Sequence, residues 1–349
     1  MVPGYATFLS ADQQERRDAF LGGARRLGTV EQNVEKDFWV CWTLAALFDG
    51  RPASQPRLLF KGGTSLSKTF GLISRFSEDI DVTVFRNDLG QNIAVEDLEK
   101  LSGRQRRNRL NAIKASCQAY VNSDMRSDLT TKLQALLTGS GLSSDAGRIE
   151  PDPDDADGQT LLVWYPTVTP TVGYVRPAIK IESGAKSALD PHSALPVRPY
   201  VADDLAGIDL AIPALTTVGA ERTFWDKVVI LHGLRRWFER RGALRGGGHR
   251  ISRHYYDVYQ LLRSDHGKLM VADVGLGADC VRHANMFFNS PDLDLETAKP
   301  GSFALLPTAQ MRTELERDYR AMAGMIFGDI PSFNAICDEV AHLEAALNS

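Results

Sequence analysis

A chain of 349 residues exceeds the usual size of one compact core, so two packed lobes are expected rather than a single domain. Hydrophobic residues at 43% and charged residues at 24% supply ample core material and exclude a globally disordered chain. A net charge of -4 excludes a protein that coats nucleic acid through its overall charge, while leaving room for a local basic face.

Residues Ala11 to Leu27 read as a helix, and the run VEKDFWVCWTLAALF, Val34 to Phe48, predicts a second, with Phe38, Trp42, Ala45 and Leu47 roughly on one face. RPASQP breaks this pattern, and Leu58 to Phe60 then reads as a short buried strand ending at Lys61 and a Gly62-Gly63 turn. A helix begins there, capped by Thr64 or Ser65, with Leu66 and Phe70 inward and Gly71 near its end. Ile80 to Phe85, IDVTVF, alternates as a strand. Residues 88–137 read as mostly helical and carry the basic cluster Arg104, Arg106, Arg107 and Arg109. The Pro- and Asp-rich stretch SSDAGRIEPDPDDADGQT, residues 143–160, reads as an exposed loop. Strands follow at 161–168 and 174–183, the second placing Lys180 and Glu182 on one face and Ile179 and Ile181 on the other. A turn-rich segment near Pro191 to Pro199 precedes a mainly helical remainder, notably residues 221–241 and 254–263, so the lobe boundary is expected near residue 200.

Four widely spaced cysteines without a C-x-x-C pair, and seven histidines without an H-x-H or H-E-x-x-H group, point to reduced thiols and no zinc site. The N-terminus lacks a secretory pattern, and the longest apolar run, Phe38 to Phe48, is too short to cross a bilayer. A cytoplasmic protein with no membrane partner is expected.

The strand, Gly-Gly turn, helix and second strand bearing D-x-D form one physical device. Gly62 and Gly63 let backbone N–H groups approach a phosphate, and the start of a helix favours an anion. Asp79 and Asp81, two apart on a strand, point to the same side and can hold Mg2+ or Mn2+ against the phosphates of an NTP. Lys61, Gly62, Gly63, Thr64, Ser65 and Ser77 are therefore candidate nucleotide-binding residues, with Ser77 and Arg75 shaping a loop over the nucleotide. Glu182 is the candidate third carboxylate, and Lys180, on the same face, can meet the triphosphate as a point charge. Far along the chain Arg235, Arg236, Arg240, Arg241, Arg245, Arg250 and Arg253 cluster with His249 and His254. Such a patch suits an RNA backbone, with Arg235, Arg236, Arg250 and Arg253 as the candidate contacts; the alternative is a solvated helix face paired with Glu239 and Asp226. Trp225 and Trp237 suit core packing better than stacking on a base.

The run FKGGTSLSKTFGLISRFSEDIDVTVF, Phe60 to Phe85, resembles the first motif of the AbiEii nucleotidyltransferase toxins of abortive-infection and type IV toxin-antitoxin operons. In order, VEKDFWV at Val34 to Val40, IKIE at Ile179 to Glu182, ERTFWDK at Glu221 to Lys227 and SRHYYDVYQL at Ser252 to Leu261 resemble further blocks of that family. The resemblance implies an α+β fold, with a polymerase-beta-like nucleotidyltransferase lobe built on a mixed sheet (residues 1–200) and a mainly helical C-terminal lobe (residues 201–349). It also implies catalytic Asp79, Asp81 and Lys180, and assigns Glu221, Lys227 and Asp257 to the nucleotide cleft. It further implies phage defence, a cognate antitoxin as partner, and transfer of a nucleotide from NTP to the 3′ end of RNA, with transfer RNA as the acceptor and translation as the process blocked. Two other readings stand beside this one: nucleotidylation of a protein hydroxyl, and an NTP- or RNA-binding module that does not react.

Overall fold

The computed structural model describes residues 2–170 and 176–349. The chain forms two compact units: residues up to 70, 76–92 and 103–218 in the first, and 71–75, 93–102 and 219–349 in the second. The change expected near residue 200 lies inside the first unit, because the strand Ile212–Val218, beyond that point, still belongs to its sheet.

The first unit opens with three helices, α1 (Gly4–Leu9), α2 (Gln13–Leu27) and α3 (Glu31–Phe48). Asp12 caps α2 in a capping box with Glu15, which sets the start of that helix at Gln13. The expected single apolar face of α3 proves too narrow: every residue from Gln32 to Leu47 is buried, because α3 packs against strands on one side and α2 and later helices on others. Strand β1 (Leu58–Lys61) leads into α4 (Gly62–Lys68), then β2 (Asp79–Val84). The short α5 (Val95–Glu99) falls in the second unit. The first continues through α6 (Gly103–Tyr120), a π-helical turn (Val121–Met125) and α7 (Arg126–Gly139).

Four strands remain to be placed after α7 besides the interior one carrying Lys180. They are β3 (Arg148–Pro151), β4 (Thr160–Trp164), β6 (His192–Val197) and β7 (Ile212–Val218), with β5 (Ala178–Gly184) between β4 and β6. Together the strands make one mixed seven-stranded sheet of order β3-β4-β5-β2-β1-β7-β6. Residues 143–160 are therefore not one exposed loop: Arg148 to Pro151 pair antiparallel with β4, and Asp152 is buried. Likewise the turn-rich Pro191–Pro199 segment contains the edge strand β6, whose proline is tolerated at an edge. Of the strand expected at 174–183, residues 174 and 175 lie outside the described residues.

In the second unit, α8 (Ala220–Arg241), α9 (Ser252–Arg263), α10 (Gly267–Ala272), α11 (Val274–Phe287), α12 (Ala309–Met322) and α13 (Phe333–Asn348) pack as a mainly helical body. Trp225 of α8 is buried in its core and donates its indole N–H to the Met270 carbonyl at 3.0 Å, so it packs rather than stacks on a base. No helix among the described residues is long and apolar enough to cross a membrane.

Gly277 of α11 lies flat against that indole: a Cβ there would stand 2.8 Å from the ring. Alanine ordinarily improves a helix interior by up to about 1 kcal/mol, whereas overpacking against a fixed ring costs about 1–3 kcal/mol. Gly277→Ala is thus expected to lower the midpoint of thermal unfolding followed by circular dichroism; a raised midpoint would show that the indole moves aside.

Candidate functional site

Strands β2 and β5 are parallel neighbours in the middle of the sheet, in a register that sets Asp79 beside Lys180 and Asp81 beside Glu182. Because side chains alternate, these four polar residues share one partly exposed face, while Ile80, Val82, Ile179 and Ile181 are fully buried on the other. On the far side of β2, Lys61 of β1 is registered with Asp81, which brings the glycine turn to the same place. Gly62 has φ of 80°, and a Cβ on it would fall 2.0 Å from Asp81 Oδ2, so the Asp81 carboxylate lies directly over the bare glycine backbone. Only glycine meets both requirements.

The expected caps of α4 work differently. Lys61 stands at the N-cap position and provides no side-chain cap. The Thr64 hydroxyl instead donates to the Asp79 carbonyl and lies 2.9 Å from Ser77 Oγ, and Ser65 Oγ donates to the Gly62 carbonyl at 2.9 Å. Thr64 and Ser77 are thereby tied to the backbone that carries the first aspartate. Gly63, Thr64 and Ser65 are buried behind the turn.

Lys180 Nζ is 3.0 Å from Glu182 Oε1 and 3.5 Å from Asp152 Oδ2. Partial burial works against its charge, but Glu182, Asp152 and Asp79 outweigh that and hold its pKa above the ordinary lysine value. Lys180 is therefore a secure cation facing the aspartates. Asp152 had no visible signal in the sequence: it sits in an Asp-rich stretch, and only the β3–β4 pairing makes it the buried one. Glu182 is engaged by Lys180, and among the described residues no three His, Cys, Asp or Glu side chains are grouped to hold an ion. Two hard carboxylates on one open face suit Mg2+ or Mn2+, which commonly take one or two protein carboxylates and complete their shell with phosphate oxygens and water. Asp79 and Asp81 are the residues that fit this role, with Gly62 leaving the space beside them.

The second unit holds a different cluster. Asp257 is completely buried, with Arg75 Nε at 2.7 Å, Arg75 Nη2 at 2.8 Å and Lys227 Nζ at 2.8 Å. Arg75, expected to shape a loop over a nucleotide, is instead a buried fork on this carboxylate. Burial alone would raise the Asp257 pKa, but Arg75 and Lys227 outweigh it and hold the carboxyl well below the usual range. Lys227 is pushed down, first by burial and then by Arg75 and Arg253, against the pull of Asp257. Glu221 stands apart from them at the start of α8, its carboxylate folded back over Gly219.

The arginine-rich segment is extensively matched by acids. Arg235 and Arg236 reach the two oxygens of Glu239 at 2.8 and 3.0 Å, Arg240 meets Asp294 at 3.2 Å, and Arg241 meets Asp292 at 2.9 Å. Asp226 faces Arg222 instead. Arg241 and Arg245 lie over the Trp237 ring. Arg250 adopts φ of 60°, with its N–H on Asp318, and Arg253 is half-buried near Lys227.

Removing one member of the buried triad leaves uncompensated charge. Asp257→Asn strands two buried cations and is expected to lower stability by about 3–5 kcal/mol in urea unfolding at pH 7. The Asp257 contribution has a definite sign with pH: its folded pKa lies below the unfolded value of about 3.9, so the stabilisation is present above that pH and is lost as pH falls through the folded value. The gap between wild type and variant should accordingly narrow as pH falls below about 4; equal stability at pH 7 would refute the ion-pair account.

Residues 45–348 match the family described as nucleotidyl transferase AbiEii toxin, type IV TA system. Among solved structures, MenT4, a nucleotidyltransferase toxin from Mycobacterium tuberculosis H37Rv, is similar over 95% of this chain and 99% of that chain, at 17% identity and a TM-score of 0.44. No curated protein matches. The chain belongs to the AbiEii nucleotidyltransferase toxin family.

Proposed function

We propose that this AbiEii family member transfers a nucleotide from NTP to the 3′ hydroxyl of an RNA, with the acceptor end of transfer RNA as the substrate, and so blocks translation. The observation that carries the reading is the β2–β5 register, which sets Asp79 beside Lys180 on the face where Asp81 lies over Gly62. Asp79 and Asp81 would hold the divalent ion, which when bound supplies charge neutralisation for the phosphates and orients them for in-line displacement. Backbone N–H groups from Gly62 onward offer donors to the phosphates, and Lys180 brings a fixed positive charge to the triphosphate. The hydroxyl gives up its proton and its oxygen bonds to the α-phosphorus as the bond to the departing pyrophosphate breaks, so the products are an extended RNA, pyrophosphate and a proton released to solvent. Type IV family membership supports a cognate antitoxin as partner; action in the cytoplasm, within a phage-defence system, is part of the same proposal.

The nucleotide chemistry is indifferent to which hydroxyl attacks, so the test keeps acceptors separate. Purified chain is incubated with labelled NTPs, total RNA and cell protein in Mg2+ or Mn2+. Label in RNA is expected, and Asp79→Ala with Asp81→Ala should reduce it by at least about 100-fold, the scale of removing an electrostatic stabiliser from an active site. Label confined to protein bands would replace the RNA acceptor with a protein one. Equal labelling by the double variant would refute the site.

In cells, expression of the wild-type chain without a partner is expected to arrest growth, and the double aspartate variant at equal abundance should not. Growth unimpaired by well-expressed wild type would refute the toxin role.

A further inference from the structure

Three consecutive charged residues of α3, Glu35, Lys36 and Asp37, are exposed by only 1%, 3% and 2%. Burying ions is unfavourable unless each is met, and apolar residues of similar volume serve a purely structural helix as well or better. Successive side chains on a helix leave about 100° apart, so these three depart in different directions. Each ends on a different segment of the first unit. Glu35 accepts from the Thr167 hydroxyl at 2.6 Å, from the Val168 N–H at 2.7 Å, and from both the N–H and the hydroxyl of Thr169. Lys36 donates to the Glu78 carboxylate and, at 3.3 Å, to the Arg176 carbonyl. Asp37 pairs with Lys68 Nζ at 2.8 Å and accepts the Tyr200 N–H at 2.6 Å.

The targets share a property. Glu78 immediately precedes Asp79, Arg176 stands two residues before β5 begins, Lys68 is the last residue of α4, and Thr167 to Thr169 follow β4. Because β2 and β5 are parallel, their entries are neighbours, and one ammonium reaches both. The geometry points to Glu35, Lys36 and Asp37 as positioning residues for the site: Lys36 locks the entries of the two strands that carry Asp79 and Lys180, Asp37 anchors the far end of the glycine-turn helix, and Glu35 holds the chain leaving β4. All three belong to the Val34–Val40 block, ahead of residues 45–348 where the family match falls. The inference rests on the nucleotidyl-transfer reading, since it assigns these charges to the alignment of that site.

The test removes a charge pair as a pair. Lys36→Met with Glu78→Gln removes both charges of this pair together and is expected to stay folded, with a melting midpoint close to wild type. Its Mn2+ affinity, read by electron paramagnetic resonance with a non-hydrolysable NTP analogue, should weaken by about 10-fold or more, as when groups that orient metal ligands are removed. Its kcat should fall by about 100-fold, the scale of a misplacement near 1 Å. Lys36→Arg, which keeps the charge but changes its reach, provides the second variant and should shift both quantities in the same direction. A folded variant of either kind with wild-type Mn2+ affinity and kcat overturns the positioning role alone. Wild type that binds and transfers no more than Asp79→Ala with Asp81→Ala overturns the nucleotidyl-transfer reading, and this inference with it.

Discussion

The parallel pairing of β2 with β5 is the constraint on which the site depends. Ladder hydrogen bonds fix register in whole residues, and side chains alternate with a period of two, so one pairing places Asp79 by Lys180 and Asp81 by Glu182 at once. A slip of β2 by one residue would turn the aspartates into the apolar layer and bring Ile80 and Val82 out. The buried isoleucines on the other face therefore enforce the register: the hydrophobic free energy that holds the sheet together also chooses which polar groups meet.

Several charges are buried inside this protein, and three of the buried groupings are ion pairs or a shared carboxylate. Lys36 meets Glu78, Lys68 meets Asp37, and Arg75 and Lys227 share Asp257. Buried pairs of this kind contribute little net stability relative to apolar packing, but they are intolerant of losing one partner. Their effect is geometric. An ion pair accepts few arrangements where an aliphatic contact accepts many, so α3 passes a defined position to the segments on either side of the D-x-D strand.

Much of the first-unit site was legible from short-range pattern. D-x-D on an alternating strand implies two carboxylates on one side, and a Gly-Gly dipeptide between strand and helix implies a backbone that approaches something closely; both are properties of neighbouring residues. Partners that lie far apart in the chain were less accessible. The pairing of Asp152 with Lys180, the grip of Arg75 on Asp257 and the union of Lys36 with Glu78 join residues separated by 28, 182 and 42 positions, and no local periodicity encodes such choices. The arginine-rich segment shows both cases: Glu239, one turn away, is readable as a partner from the sequence, whereas Asp292 and Asp294, far along the chain, are not.

Sequence alone determined the elements whose period is strong, namely the helices from Gln13 to Phe48, β1, β2, the Lys180 strand, and the long α8 and α9, along with the candidate site residues they carry. Only the tertiary structure decided that residues 148–151 and 192–197 are strands. Both are short, rich in proline or polar residues, and extended because a neighbour offers a ladder to complete. It also decided which charges are solvated and which are buried, since a side chain of given type is stable in either setting and the outcome depends on whether a distant segment brings the opposite charge within reach.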